Sequence, residues 1–369
     1  MNKTPCFIVR GGTSKGIYFK ESDMPQNRDN WEAFLLEVMG SPDMRQINGL
    51  GGANSLTSKV AIINNSQEDG VDLNYTFAQV SINKSLVDFK NNCGNISSGV
   101  ATYAIASGLI SPKDGICSVN IFNTNTQKLI KETLEVRNGR AVEIGNLAIP
   151  GVPGTGAKID VSFYDPQGAV TKKLLPTGNP KDKIQTSIGE IEISIVDSAN
   201  PLVFMNAKDL GLKGTELPSE YTPENLKLIE EVRSIACEMC GFASKEEATN
   251  ISPAIPKSTI IASPQDLKDM SGNNILANEI DLIIRMMSMQ KPHQALAVTG
   301  AVCSATAAKI KGTLVSEIVN IDKDLTVAHP GGIMHIGIEE ENSKLRSVSV
   351  ERTARVIMEG FVYTDGKYF

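Results

Sequence analysis

Three segments are too dense in Gly, Ser, Thr and Asn to be ordinary turns. They are Arg10-Gly11-Gly12-Thr13-Ser14-Lys15-Gly16, the stretch from Gly49 to Lys59, and Asn91-Asn92-Cys93-Gly94-Asn95-Ile96-Ser97-Ser98-Gly99. Glycine lets backbone approach a ligand closely, and successive amides with hydroxyls suit an anion. The candidate contacts are Gly11, Gly12, Thr13 and Ser14, then Asn54 and Ser55, then Gly94, Asn95 and Ser97. The first segment lacks the Gly-x-x-x-x-Gly-Lys-Ser/Thr spacing and runs into a strand, so nucleotide binding is not expected.

Two side chains in these segments could move a proton. Cys93 stands just before a predicted helix, with Asn92, Gly94 and Asn95 around it rather than apolar residues. Unpaired amides at a helix start are a setting in which thiols do chemistry. Lys59 ends the second segment and opens an apolar strand. Partial burial there is the physical route by which a lysine becomes a usable base. Cys6, Cys117 and Cys303 have apolar or helical neighbours and read as core. Cys237 and Cys240 lie late in a predicted helix with no second ligand pair, so they read as packing. His329-Pro330-Gly331-Gly332 is a turn able to present an imidazole or the Gly331 amide, and Arg285 and Arg352 are candidate carboxylate clamps. Gly12-Thr13-Ser14-Lys15-Gly16 has the Gly-x-Ser-x-Gly spacing but runs into a strand rather than a helix, so it is no nucleophile elbow, and no metal-spaced histidine pair occurs.

The elements that must hold these residues repeat. Cys6–Val9 and Ile17–Phe19 flank the Gly11-Gly12 turn as a hairpin, and Trp31, Phe34, Leu35 and Val38 have helical spacing. Lys59–Ile63 reads as a buried strand, and Asn95–Ser107 as a small-residue helix. In the second half come the strands Glu192–Val196 and Leu202–Met205, then a helix capped by Thr222-Pro223, then a small-residue helix from Ala301 to Lys311. Ile17–Phe19 matches Val203–Met205 at a shift of 186, and Ala104…Gly108 matches Ala308…Gly312 at 204. The pattern predicts two similar α+β domains, 1–183 and 184–347, divided near Thr177–Lys183. The last strand, about 348–369, is free to return to the first. A cleft between two such domains is a preferred place for a small ligand.

Length and composition agree with an enzyme of this kind. The 369 residues exceed the roughly 250–300 at which single cores stop growing. With 41% hydrophobic and 21% charged residues the chain reads as globular, without membrane span or signal segment. A net charge of −6 without a basic cluster argues against nucleic acid, and six scattered cysteines fit a reducing cytoplasm.

Together the motifs resemble the PrpF-like family of methylaconitate cis–trans isomerases and 4-oxalomesaconate tautomerases. The resemblance rests on Arg10–Gly16, Gly51–Lys59, Asn92–Ser98, Arg285 through His293, Thr299-Gly300-Ala301 and His329–Gly332, in family order over nearly the whole chain. It implies the diaminopimelate-epimerase-like fold, with two α+β domains, each a barrel-like sheet around a central helix, and the active site between them. It also implies Lys59 and Cys93 as the catalytic pair, with Arg285, His293, Thr299, Gly300, Ala301, His329 and Gly331 on the substrate. Racemases of this fold carry a cysteine before each central helix, but at the 204 shift the mate of Cys93 is Ala297. That disfavours a symmetric two-thiol racemase.

The implied reaction is a cofactor-free proton shift in an unsaturated di- or tricarboxylic acid of the aconitate type, with no metal. The implied partner is that small polycarboxylate; neither nucleic acid nor membrane is expected, and a homodimer is compatible. The alternatives are an amino-acid racemase or epimerase, and a polycarboxylate-binding protein without turnover.

Overall fold

The computed structural model describes residues 1–90, 92–320, 324–342 and 344–369; Asn91, the first residue of the third polar segment, lies outside the described residues. The chain divides into two units, Met1–Ser162 with Glu351–Phe369, and Phe163–Val350. In chain order the first part of the fold is β1 (Asn2–Gly11), β2 (Ser14–Lys20), α1 (Trp31–Met39), β3 (Lys59–Asn65), β4 (Leu73–Val80) and β5 (Val87–Asp88). Next come α2 (Gly94–Ser97), α3 (Val100–Ala106), β6 (Gly115–Asn123), β7 (Lys128–Arg137), β8 (Arg140–Ala141) and β9 (Ile159–Tyr164). The second unit begins with β10 (Asp182–Thr186), β11 (Gly189–Ser198), β12 (Asn200–Asn206), α4 (Pro223–Met239), α5 (Ala248–Ile251) and β13 (Lys257–Ala262). It continues with β14 (Leu267–Lys268), β15 (Asn274–Ile275), β16 (Leu282–Ser288), β17 (Lys291–Pro292), α6 (Val298–Lys309) and α7 (Leu314–Ile318). The strands β18 (Leu325–His329), β19 (Gly332–Glu341), β20 (Lys344–Arg352) and β21 (Ala354–Thr364) close the chain.

The pairings repeat in the same order. In the first unit β1 and β2 form a hairpin, β2 runs parallel to β3, β3 antiparallel to β4, β4 parallel to β6, and β6 antiparallel to β7. In the second, β11 and β12 form the hairpin, β12 is parallel to β13, β13 antiparallel to β16, β16 parallel to β18, and β18 antiparallel to β19. Shifting β2 by 186 gives the span of β12, and shifting the start of α2 by 204 gives the start of α6. Antiparallel to β1 lies β21, so the C-terminal strand belongs to the first unit.

Local chemistry explains the elements. Inner strands such as Val60–Ile63 are apolar on both faces because both faces are covered. The helix α1 buries Trp31, Phe34, Leu35, Val38 and Met39 and stops at Gly40, whose φ of 73° costs a glycine little. A capping box starts α4: the Thr222 side chain accepts from the Asn225 amide, and the Asn225 side chain accepts from the Thr222 amide. Gly, Ala, Ser, Thr, Val and Cys fill α6 on all sides, and its residues from Val298 to Ala308 are buried. A helix apolar and small on every face can be enclosed by strands, and α6 packs against β11, β12 and β19.

The division between the units falls at Ser162, upstream of the expected stretch at Thr177–Lys183. The cause is Asp197 on β11. Its buried carboxylate accepts from the Val170 amide (2.9 Å), the Thr171 amide (2.5 Å) and the Thr171 hydroxyl (2.8 Å), which ties the segment after β9 to the second unit. Among the described residues no helix is long and apolar enough to cross a membrane.

Candidate functional site

In the first unit, glycines bring the β1–β2 turn against α2. A Cβ on Gly11 would stand 2.2 Å from the Asn95 carbonyl oxygen, and one on Gly12 would stand 2.2 Å from Asn95 Oδ1. Gly16 is enclosed between the Lys59 carbonyl and the Ile96 side chain, at 2.9 and 3.0 Å from a Cβ. These contacts bring together Gly11, Gly12, Thr13, Asn95 and the start of β3. Asn95 secures the join: its Nδ2 donates to Thr13 Oγ1 at 3.0 Å, and its Oδ1 accepts from the Thr13 amide at 3.4 Å.

The amide cradle read from the first two glycine-rich segments takes another form. The Gly12 amide donates to Thr353 O, Gly51 to Met39 O, Gly52 to Thr57 O, and Ala53 to Gln46 Oε1. Those glycines allow close packing rather than offering a row of open donors. Asn54 accepts from the Leu56 amide, and Ser55 O accepts from Gln79, so both shape the loop that leads to Lys59. Ser14 differs: it is buried, and its hydroxyl has no hydrogen-bond partner among the described residues.

Cys93 is half-buried in extended backbone at the head of α2. Its carbonyl accepts from the Ser97 amide at 2.8 Å and from Ser97 Oγ at 3.1 Å, and the same hydroxyl lies 3.1 Å from Asn92 Oδ1. Tyr18 and Tyr75 lie close to Cys93. Burial pushes both phenols well above their usual range, so both stay neutral.

Lys59 is only 7% exposed. Its Nζ donates to Gln79 Oε1 at 2.5 Å and lies 5.2 Å from the centre of the Phe77 ring. The Gln79 amide is fixed in turn by donating to Ser58 O at 2.9 Å and Ser55 O at 3.2 Å. Among the described residues no carboxylate forms an ion pair with Lys59.

In the second unit, His293 and His329 are buried in matching local turns. The Nδ1 of each accepts from the amide two residues on, Ala295 at 3.0 Å and Gly331 at 3.1 Å. That assignment leaves Nε2 as the donor of each ring. Thr299, Gly300 and Ala301 lie in the buried first turn of α6, which starts at Val298, ahead of the expected Ala301. Gly300 is there for packing, since a Cβ would meet the Met286 methyl at 2.1 Å. Ala297 caps α6 without a side-chain bond, as Cys93 does for α2, so no second thiol occupies the equivalent place.

Arg285 does not stand as an open clamp. It is 1% exposed, and its guanidinium donates to the carbonyls of Glu216 (2.7 Å), Ile284 (3.0 Å) and Thr215 (3.2 Å). Burial lowers its pKa to about 10, and its role is to strap the 215–216 loop. Its place amid Leu282-Ile283-Ile284 and Met286-Met287 was the sequence signal for that burial. Arg352 is buried in the first unit beside Gly12, with burial lowering its pKa to about 10. Among the described residues no group of three His, Cys, Asp or Glu could hold a metal.

Sequence reasoning missed Asn200 and Glu132. Asn200 is fully buried at the start of β12, and neither side-chain atom has a hydrogen-bond partner among the described residues. At the 186 shift it is the mate of Ser14, so both hairpins place an unsatisfied polar group at one position. Glu132 is fully buried on β7, and its Oε2 accepts from the Ala101 amide at 3.2 Å. Its signal was a carboxylate on the inward phase of Ile130-x-Glu132-x-Leu134. Burial pushes its pKa well above 4.5, while the Ala101 and Val100 amides pull it partly back.

A pH dependence follows. At low pH the folded and unfolded chains both hold the Glu132 proton. Above the unfolded value, about 4.3, only the folded chain keeps it, so wild-type stability falls as pH rises towards the folded value. Glu132→Gln removes that loss, whereas Tyr18 and Tyr75 beside it are common to both proteins. The melting-temperature gap of Glu132→Gln over wild type should therefore widen from pH 5 to pH 8 in calorimetry; a constant gap contradicts this reading.

Comparison with known proteins places these observations. The family model described as "PrpF protein" matches residues 1–365. The chain is 52% identical to the putative isomerase YraM of Bacillus subtilis, over 100% of this chain and 99% of that protein. It is 42% identical to 3-methylitaconate isomerase of Eubacterium barkeri, over 98% and 97%. A crystal structure of methylitaconate-delta-isomerase superposes with a TM-score of 0.83 at 41% identity, covering 100% of this chain and 97% of that one. A hydroxyproline epimerase from Agrobacterium vitis, at TM-score 0.56 and 12% identity over 99% and 94%, shares the fold alone.

Proposed function

The chain belongs to the PrpF family and is an isomerase, and we propose that it moves an allylic proton in an unsaturated di- or tricarboxylic acid of the aconitate or itaconate type. The observation that carries this reading is Lys59: a buried amine held by the neutral Gln79, in the same unit as the half-buried thiol of Cys93. One of the pair removes a proton allylic to the C=C bond. The electrons pass into the conjugated carboxylate as a dienolate, and the other group returns a proton at the far end. The double bond moves, and no net charge is gained or lost.

The dienolate needs donors arranged in advance. Ser14 and the Asn95–Thr13 pair support that role in the first unit. Asn200 supports it in the second. Arg285 is left out, because its donors hold backbone.

Asn200 gives a specific expectation. An unpaired buried amide costs about 1–3 kcal/mol, and a hydrogen bond to a charged ligand returns a similar amount. Asn200→Ala should therefore leave the melting temperature unchanged or higher while raising KM about tenfold. A variant with wild-type KM removes Asn200 from the substrate.

The reading as a whole is tested by proton NMR of the purified protein with a panel of unsaturated di- and tricarboxylates. Interconversion of double-bond isomers of at least one acid is expected. Inversion of amino acids with every acid unchanged would support the racemase reading instead.

A further inference from the structure

The helical segment that carries Cys93 is broken, and two strands hold it so. In an unbroken helix the amides of Val100 and Ala101 would donate to the carbonyls of Ile96 and Ser97. Here Ile96 O instead accepts from the Tyr18 hydroxyl of β2 at 2.6 Å and from the Gly99 amide at 3.1 Å. The Ala101 amide turns to Glu132 Oε2 of β7 at 3.2 Å. The Gly99 cap of α3 makes no side-chain bond of its own, so β7 supplies the cap from outside the helix. A side chain at Gly99 would collide with the Tyr18 hydroxyl, with a Cβ at 2.6 Å, so the break and the tyrosine are fitted to one another. What stays separate is a single turn, Gly94–Ser97, with Cys93 at its head and the Ser97 hydroxyl bonded back to the Cys93 carbonyl.

We propose that Glu132 is a positioning residue: with Tyr18 it keeps α2 apart from α3 and so fixes the pose of Cys93. This deepens the isomerase reading and rests on it for the kinetic part of the test. The role asks only for an acceptor. The buried carboxyl is matched in shape by the glutamine amide, whose oxygen can take the same Ala101 amide. Alanine supplies nothing there, and the free Ala101 amide would recapture the Ser97 carbonyl, joining the two helices and turning Cys93.

The test compares Glu132→Ala, Glu132→Gln and Tyr18→Phe with wild type, each shown to be folded by circular dichroism and a cooperative melt. Two readouts are used: the rate of Cys93 alkylation by iodoacetamide, followed by mass spectrometry without substrate, and the separate values of kcat and KM. Misplacing a reacting group by about 1 Å costs up to about a hundredfold. Glu132→Ala should lower kcat at least about tenfold with KM within about threefold, and shift the alkylation rate at least about fivefold. Glu132→Gln should restore both to near wild type. Should Glu132→Ala not fold, Tyr18→Phe carries the test with the same expected losses. A folded Glu132→Ala or Tyr18→Phe with wild-type kcat and alkylation overturns the proposal, as does a Glu132→Gln as impaired as Glu132→Ala. If wild type turns over none of the acids, the isomerase reading has failed, and the alkylation rates still decide the role of Glu132.

Discussion

Lys59→Ala is expected to lose about 10²–10⁴ in kcat while remaining folded, the range that a positioned general acid or base supplies. The loss of stability should be small. Removing the amine leaves Gln79 Oε1 short of one donor at a partly buried site, worth about 1 kcal/mol. Lys59→Arg should be nearly as inactive. A guanidinium keeps the charge and can still donate to Gln79, but it does not give up a proton near neutral pH. A charge-only role for Lys59 would leave the arginine variant active, so the pair of variants separates proton transfer from electrostatics. Near-native turnover in folded Lys59→Ala removes it from the chemistry.

Cys93 carries the second large effect, and the other cysteines make it measurable. Burial pushes the Cys6 thiol up to about 11 and the Cys240 thiol up to about 12, and it holds Cys303 well above the usual range. Cys117 is raised as well, by burial and then by Asp72, and Cys237 is fully buried. Iodoacetamide should therefore label Cys93 first, with activity lost in step, and a saturating polycarboxylate should protect it. Cys93→Ser keeps the size of the group but not its readiness to exchange a proton, so kcat should fall about 10²–10⁴ with little change in melting temperature. Cys303→Ser, in contrast, should act on packing, because Cys303 Sγ lies in α6, 3.2 Å from the Val196 carbonyl. Fastest labelling at Cys240 or Cys303, with activity independent of Cys93, would overturn the assignment.

The repeat was legible in the sequence because it rests on local signals. Apolar strands, glycine turns and small-residue helices recur at fixed shifts, and the spans of β2 and β12 fall on the 186 register. The Lys59 and Cys93 neighbourhoods were legible for a similar reason: polar, glycine-rich runs beside apolar elements mark places where backbone must pass close to something. What they pass close to was not legible. Gly11 and Gly12 make room for Asn95 about eighty residues later, and no local pattern encodes that meeting. The helix read as continuous from Asn95 to Ser107 is divided at Ser98–Gly99, because Tyr18 and Glu132 bind its backbone from distant strands. Arg285 has a clamp's chemistry but a strap's surroundings, which only the 215–216 loop reveals. The domain boundary moved for a like cause, since Asp197 draws the segment after β9 into the second unit. The misses are long-range polar contacts, whereas the successes are periodicities and turn residues.

The most direct test of the central claim is turnover in deuterated water. With wild-type protein and an unsaturated acid of the aconitate type, proton NMR should show deuterium entering the carbon that gains a hydrogen as the double bond moves. Lys59→Ala and Cys93→Ser should each suppress that incorporation. Isomerisation without any deuterium at that carbon, or incorporation undiminished in both variants, would contradict a proton shift carried by this pair.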